Sequence, residues 1–130
     1  MTHNEVSGKV IRAAIAVHRE LGPGLLESVY QVCLMAELKS MGLHVEEQVA
    51  VPIVYRGERL ANSLRIDLLV EDRVVVGIKA VEDLHPIHMA QQLTYLRLTK
   101  KKLGLLINFN TTKLVDGIER VMNGYLDEGE

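Results

Sequence analysis

Two apolar runs separated by three residues constrain this chain more than any other feature. Leu64-Arg65-Ile66-Asp67-Leu68-Leu69-Val70 and Val74-Val75-Val76-Gly77-Ile78-Lys79-Ala80-Val81 flank Glu71-Asp72-Arg73. Both runs read as strands, and the short connection makes them a hairpin. Val70 then faces Val74, and counting outward Asp67 faces Gly77 and Arg65 faces Lys79. Side chains alternate between the two faces of a strand. Arg65, Asp67, Val75, Gly77 and Lys79 therefore share one face. Ile66, Leu68, Val70, Val74, Val76 and Ile78 share the other, which is uniformly apolar. A slip of one residue would send Asp67 and Lys79 to opposite faces.

The rest of the chain supplies the layers around this hairpin. Val6, Val10, Ile11, Ala14, Ile15, Val17 and Leu21 recur at helical spacing, which predicts a helix over about Asn4 to Leu21. Thr2 and Glu5 form a capping-box pattern at its start. Gly22-Pro23-Gly24 ends it, and a second helix runs from about Leu25 to Met41, capped by Gly42. A strand is expected from His44 to Tyr55, then a turn at Arg56-Gly57-Glu58 and a short returning strand near Arg59-Leu60. After the hairpin, Pro86 opens a helix to about Thr99. Leu103 to Phe109 is a nearly continuous apolar strand, as expected inside a sheet covered on both faces. A last helix is expected from about Thr112 to Tyr125, followed by a frayed acidic tail, Asp127 to Glu130. The order is helix, helix, three or four antiparallel strands, helix, strand, helix. This is an α/β chain, and residues 1–130 make one domain.

Composition narrows the class. Hydrophobic residues make up 48% of the chain and charged residues 25%, without a low-complexity tract, so a folded domain is expected. Such a length buries a core without a disulfide or metal staple. The formal charge of −2 lacks the basic excess usual in nucleic-acid binders, although a local basic face is compatible with it. Cys33 is the single cysteine, which fits a reducing compartment. No signal peptide pattern opens the chain, and no apolar run approaches the roughly 20 residues of a membrane span. The expectation is a soluble cytoplasmic protein with no membrane partner; a homodimer is left open.

The polar residues of the hairpin carry chemistry. Magnesium takes oxygen ligands and is held by one or two carboxylates with several waters. In phosphodiester cleavage such an ion neutralises developing charge and lowers the pKa of an attacking water. A neighbouring lysine orients that water or stabilises the transition state. Asp67 and Lys79 fit these roles. Glu27, in Gly24-Leu25-Leu26-Glu27 at the start of the second helix, adds a second carboxylate, and Gly24 lets that helix begin close to another backbone. Gln91 and Tyr95 are four apart on one helix face, where an amide and a phenol can hold a nucleic-acid backbone or position Lys79.

Plainer readings exist for each residue. Asp67 can pair structurally with Arg65 or Lys79, Lys79 can be a solvated lysine, and Glu27 can favour a helix N-terminus. Gln91 and Tyr95 can be ordinary surface and core residues. His85 and His88 form an HxxH pair with no cysteine nearby, which is weak support for zinc. Lys100-Lys101-Lys102, with Arg97, is either a solvated helix end or a phosphate contact.

Taken in order, Gly24 to Glu27, Asp67, Gly77-Ile78-Lys79 and Gln91 to Tyr95 resemble the RecB-like branch of the PD-(D/E)XK nuclease superfamily. More closely, His18 to Tyr30, Asp67 to Val70, Lys79 to Glu82 and Gly104 to Asn110 are similar to small bacterial proteins called the GxxExxR family. The resemblance spans nearly the whole chain. It implies a three-layer αβββαβ restriction-endonuclease-like core, with a mixed sheet flanked by helices. It also implies a site for Mg²⁺ or Mn²⁺ on Asp67 and Glu27, with Lys79, Asp67 and Glu27 catalytic. Gln91, Tyr95, Lys100, Lys101 and Lys102 would bind substrate or support the site. The chain departs from the pattern at Gly77, where the family usually has Glu, and Glu82 lies too far along to replace it. Loss of one preorganised charge costs about 2.7–4 kcal/mol in comparable sites. Two functions are therefore carried forward. One is a metal-dependent nuclease acting on DNA or RNA. The other is a catalytically degenerate module that binds nucleic acid or protein.

Overall fold

The computed structural model describes residues 1–130, with the side chain of Asn62 excepted. Its elements are α1 (His3–Leu21), α2 (Glu27–Ser40), β1 (Val45–Tyr55), β2 (Glu58–Val70), β3 (Val74–Lys79), α3 (Pro86–Thr99), β4 (Leu103–Asn108), a 3₁₀ turn (Leu114–Gly117) and β5 (Ile118–Met122). The strands form one sheet in the order β1-β2-β3-β4-β5. Its β3–β4 pair is parallel and the other neighbours are antiparallel, so the sheet is mixed as expected. A parallel pair needs a crossover, and α3 supplies it.

Two apolar clusters make the chain three layers deep. On one face, Val6, Val10, Ala13, Ala14 and Val17 of α1 and Tyr30, Leu34 and Leu38 of α2 pack on Val70, Val74, Val76, Ile78, Leu105 and Ile107. On the other, Leu96 of α3 packs with Val51, Ile66, Leu69, Val75 and Val121, and Leu93 and Met89 flank it. All positions of β4 are buried, which explains its continuous apolar run.

Tyr30 ties the first helical turn of α2 to the sheet layer. It is fully buried, and its ring stacks on Phe109 with centroids 4.5 Å apart. Its hydroxyl donates to the Gly22 carbonyl at 2.5 Å and accepts from Leu25 N–H at 3.2 Å. The phenol thus closes the Gly22-Pro23-Gly24 turn and sets where α2, with Glu27 as its first residue, begins.

Two expectations are corrected at the edges of the sheet. The return from the Arg56-Gly57 turn is one long strand, β2, rather than a short strand followed by a second. The expected helix over Thr112 to Tyr125 is absent; a single 3₁₀ turn leads into β5 instead. Leu114, Ile118 and Val121 do recur at helical spacing, which is what the sequence pattern reported. Tertiary demand overrides it, because the backbone groups of buried β4 need partners on their free side. Leu103↔Met122 through Ile107↔Ile118 provide them. Gly117 makes the turn into that pairing, and a Cβ there would collide with the backbone carbonyl of Asn108.

Tyr30→Phe keeps the stack and strips the Gly22 and Leu25 contacts of their partner. A loss of about 1–3 kcal/mol is expected, read as a lower urea midpoint. An unchanged midpoint would show that the phenol does not hold the turn.

Candidate functional site

The β2–β3 hairpin pairs Leu68↔Val76, Leu69↔Val75 and Val70↔Val74, in the register counted from its loop. The ladder stops there. In its place the Asp67 carboxylate accepts a hydrogen bond from Ile78 N–H at 2.7 Å. A side chain has replaced a backbone partner, so the two strands part at the level of Asp67 and Gly77.

The other neighbour of β2 is irregular at the same level. Gln48 of β1 has φ of 47°, uncommon for a residue other than glycine. Glu47↔Leu68 and Val49↔Ile66 pair on either side of it, so the register is kept while the pleat is broken. One consequence overturns part of the face count. Leu68 and Val70 pack with α1 and α2, whereas Ile66 packs in the α3-side cluster. The apolar face is therefore not uniform along β2; it switches at Asp67.

A small cleft of about 50 Å³ opens beside this break. Its lining includes Arg65, Asp67, Gly77, Lys79, His88, Gln91, Gln92 and Tyr95. The volume suits a few waters or a hydrated ion; it is far below the roughly 300 Å³ of a small-molecule pocket. A larger ligand would have to lie across its mouth.

Electrostatics shows which groups converge. Burial pushes the Asp67 carboxyl above its ordinary value; the Ile78 N–H and the Lys79 ammonium pull it back, Glu27 pushes it up, and the Gln48 amide opposes this. Tyr95 is also raised, by burial first and then by the negative charge of Asp67, against a hydrogen bond from Gln91. Asp67 thus interacts with Lys79, Glu27 and Tyr95, and Gln91 with Tyr95.

Glu27 is exposed and stands outside the cleft lining, at the end of β3, where its Oε1 accepts from Ala80 N–H at 3.3 Å. Gln91 and Tyr95 do share a helix face, and that face looks into the cleft. Lys100, Lys101 and Lys102 are not brought there. Lys100 caps α3 with φ of 58°. Lys101 pairs with Asp72 at 3.0 Å and Lys102 with Glu130 at 2.6 Å. They precede Leu103, which pairs with Val74 at the start of β3, whereas Lys79 ends that strand. At about 3.3 Å per residue the separation is roughly 17 Å.

His85 and His88 cap α3 rather than pair as metal ligands. His88 Nδ1 accepts from His85 N–H at 3.0 Å, which leaves the neutral ring's proton on Nε2. Among the described residues no group of three or more His, Cys, Asp or Glu side chains could hold a metal ion. The side-chain oxygens of the cleft lining are those of Asp67, Gln91, Gln92 and Tyr95, with Glu27 just outside it. They are all hard donors, and they fit a weakly held Mg²⁺ or Mn²⁺ better than a softer ion.

Gln92 is the residue that sequence reasoning missed. It is 2% exposed, and its Nε2 donates to Val75 O at 3.0 Å and Leu105 O at 3.2 Å. The available signal was its place four residues before Leu96 on the core face of α3, where an apolar residue is the rule.

The model of the PD-(D/E)XK nuclease superfamily matches residues 4–121. The chain belongs to that superfamily. Its mixed sheet between helical layers is consistent with the restriction-endonuclease-like fold. PD-(D/E)XK nucleases generally use divalent metals and act on nucleic acids. No curated protein and no solved structure matches the chain. No helix of the described residues is long and apolar enough to cross a membrane.

The raised Asp67 carboxyl has a consequence for stability. From its ordinary value of 3.8 upward, the folded state keeps a proton that the unfolded state has lost. This contribution is fully present below that pH and is lost as pH rises through the folded value. Asp67→Asn removes the burial cost of the charge and keeps an oxygen for Ile78 N–H. Measured in EDTA by urea unfolding, its stability relative to the parent should rise as pH climbs above 3.8 and level off once pH has passed the raised folded value. A difference independent of pH would contradict the burial argument.

Proposed function

We propose that this chain is a RecB-like nuclease domain of the GxxExxR type. It binds DNA or RNA across the Asp67–Lys79 cleft and hydrolyses phosphodiesters weakly with Mg²⁺ or Mn²⁺. The observation that carries this reading is that Asp67, Lys79, Gln91 and Tyr95 line one cleft at the point where β2 and β3 part. The single free cysteine, Cys33, fits action in the cytoplasm of a bacterial cell.

In this reading Asp67 and Glu27 hold the metal, which when bound supplies charge neutralisation and a more acidic water. Lys79 donates from Nζ to the attacking water or to a phosphate oxygen. The Tyr95 hydroxyl and the Gln91 amide donate to the nucleic-acid backbone and fix its position over the cleft. Gly77 contributes no carboxylate at the position that faces Asp67. A deficit of about 2.7–4 kcal/mol corresponds to roughly 10²–10³-fold in rate.

A second reading, binding without cleavage, is favoured by one observation. The space a longer side chain at residue 77 would enter is taken by Gln92 and Leu106, so the gap is a packed arrangement rather than a hole.

Incubation with Mn²⁺ and labelled single- and double-stranded DNA and RNA separates these readings. The parent should cut slowly, and Asp67→Ala should cut at least about 100-fold more slowly. A parent that shifts nucleic acid on a native gel and never cuts it supports the binding module. A parent that neither cuts nor binds defeats the nuclease and the nucleic-acid-binding module alike.

A further inference from the structure

We infer that the side-chain oxygen of Gln92 takes over the part of the absent acid at residue 77, presenting a neutral third oxygen to a divalent cation held by Asp67 and Glu27. This rests on the reading of the cleft as a metal site.

Gln92 is almost fully buried, and a buried amide is costly unless its polar atoms find partners. Its Nε2 has two, the Val75 and Leu105 carbonyls of the adjacent parallel strands. Carbonyls only accept, so these contacts fix which end of the amide is nitrogen. The oxygen consequently points the other way. It lies 3.0 Å from where a Cβ on Gly77 would stand.

Two glycines frame this amide. Gly77 and Gly104 both lack the positive φ that would demand glycine for backbone reasons. What they share is contact with Gln92. A Cβ on Gly104 would stand 2.7 Å from its Nε2 and 3.2 Å from Val75 O. One glycine seats the nitrogen and the other the oxygen.

No hydrogen-bond donor among the described residues serves Gln92 Oε1, although its nitrogen is doubly engaged. Yet no buried side-chain nitrogen or oxygen among them lacks a partner. The oxygen is therefore the part of Gln92 that reaches the cleft, whose lining it shares with Asp67 and Lys79. An amide oxygen is an accepted ligand for hard cations. It carries no charge, so the cation would be held more weakly than by an acid.

Calorimetric titration of metal-free protein with Mn²⁺ tests this without any cleavage assay. The parent should bind, and Gln92→Leu, similar in size and without the oxygen, should bind at least about tenfold more weakly. Gly77→Ala, whose methyl group would press on Oε1 and which leaves Gln92 itself in place, should also weaken binding. Gly77→Glu combined with Gln92→Ala should bind more tightly than the parent, and by more than the two single changes sum to, because the shortened side chain at 92 vacates the space the acid enters. Urea midpoints accompany each variant, so an unfolded protein is not counted as a weak binder. Parent-like affinity in both Gln92→Leu and Gly77→Ala overturns the proposal. If only the double variant binds, Gln92 is no ligand and the nuclease scaffold stands. If neither the parent nor the double variant binds, the metal reading falls with it.

Discussion

The hydrogen bond from Ile78 N–H to the Asp67 carboxylate governs the geometry of the functional end of this molecule. Up to Leu68↔Val76 the β2–β3 hairpin is an ordinary antiparallel ladder. One residue further, a side chain takes the backbone's place and the strands part. The carboxylate is thus fixed by the main chain of the neighbouring strand rather than by another side chain. That arrangement lets a half-buried acid remain in place despite the burial that raises its pKa. It also leaves further lone pairs on the same carboxylate facing the cleft.

The surrounding elements are rigid for reasons unrelated to chemistry. β3 and β4 are a parallel pair buried between helical layers. α2 is located by the stack of Tyr30 on Phe109 and by the phenol's hold on the Gly22 turn. α3 is pinned by Leu96 in the core and by the Gln92 amide across two strands. Polar groups carried on such elements are held more narrowly than groups on loops. The cleft is assembled between β2, β3 and the face of α3 that packs over them.

Much of this was legible in the sequence. The three-residue loop set the hairpin register, so Asp67, Gly77 and Lys79 were placed together by counting alone. The periodicities of α1, α2 and α3 were local and strong. What escaped was non-local. β5 has helical apolar spacing and becomes a strand because β4 needs a partner. Ile66 changes face at the level where Gln48 of β1 and Asp67 of β2 drop out of the ladder, an irregularity shared between two strands. Lys100 to Lys102 are the densest basic run and sit at the far end of the sheet, a distance that no spacing reveals. Gln92 was invisible for a related reason: its partners are carbonyls of two strands, and its neighbour Gln91 carried the recognisable spacing.

The seat made by Gly77 and Gly104 also bears on how such a site changes over generations. An acid restored at residue 77 by itself would meet the Gln92 amide already in place, within 3.0 Å of its first side-chain atom. A change at Gln92 by itself would remove the bridge between Val75 and Leu105. The packing conflict is relieved only by a change at Gln92, and that change gives up the bridge between the two carbonyls. The glycine and the glutamine therefore act as a historical latch, in which the second residue makes the state of the first difficult to reverse.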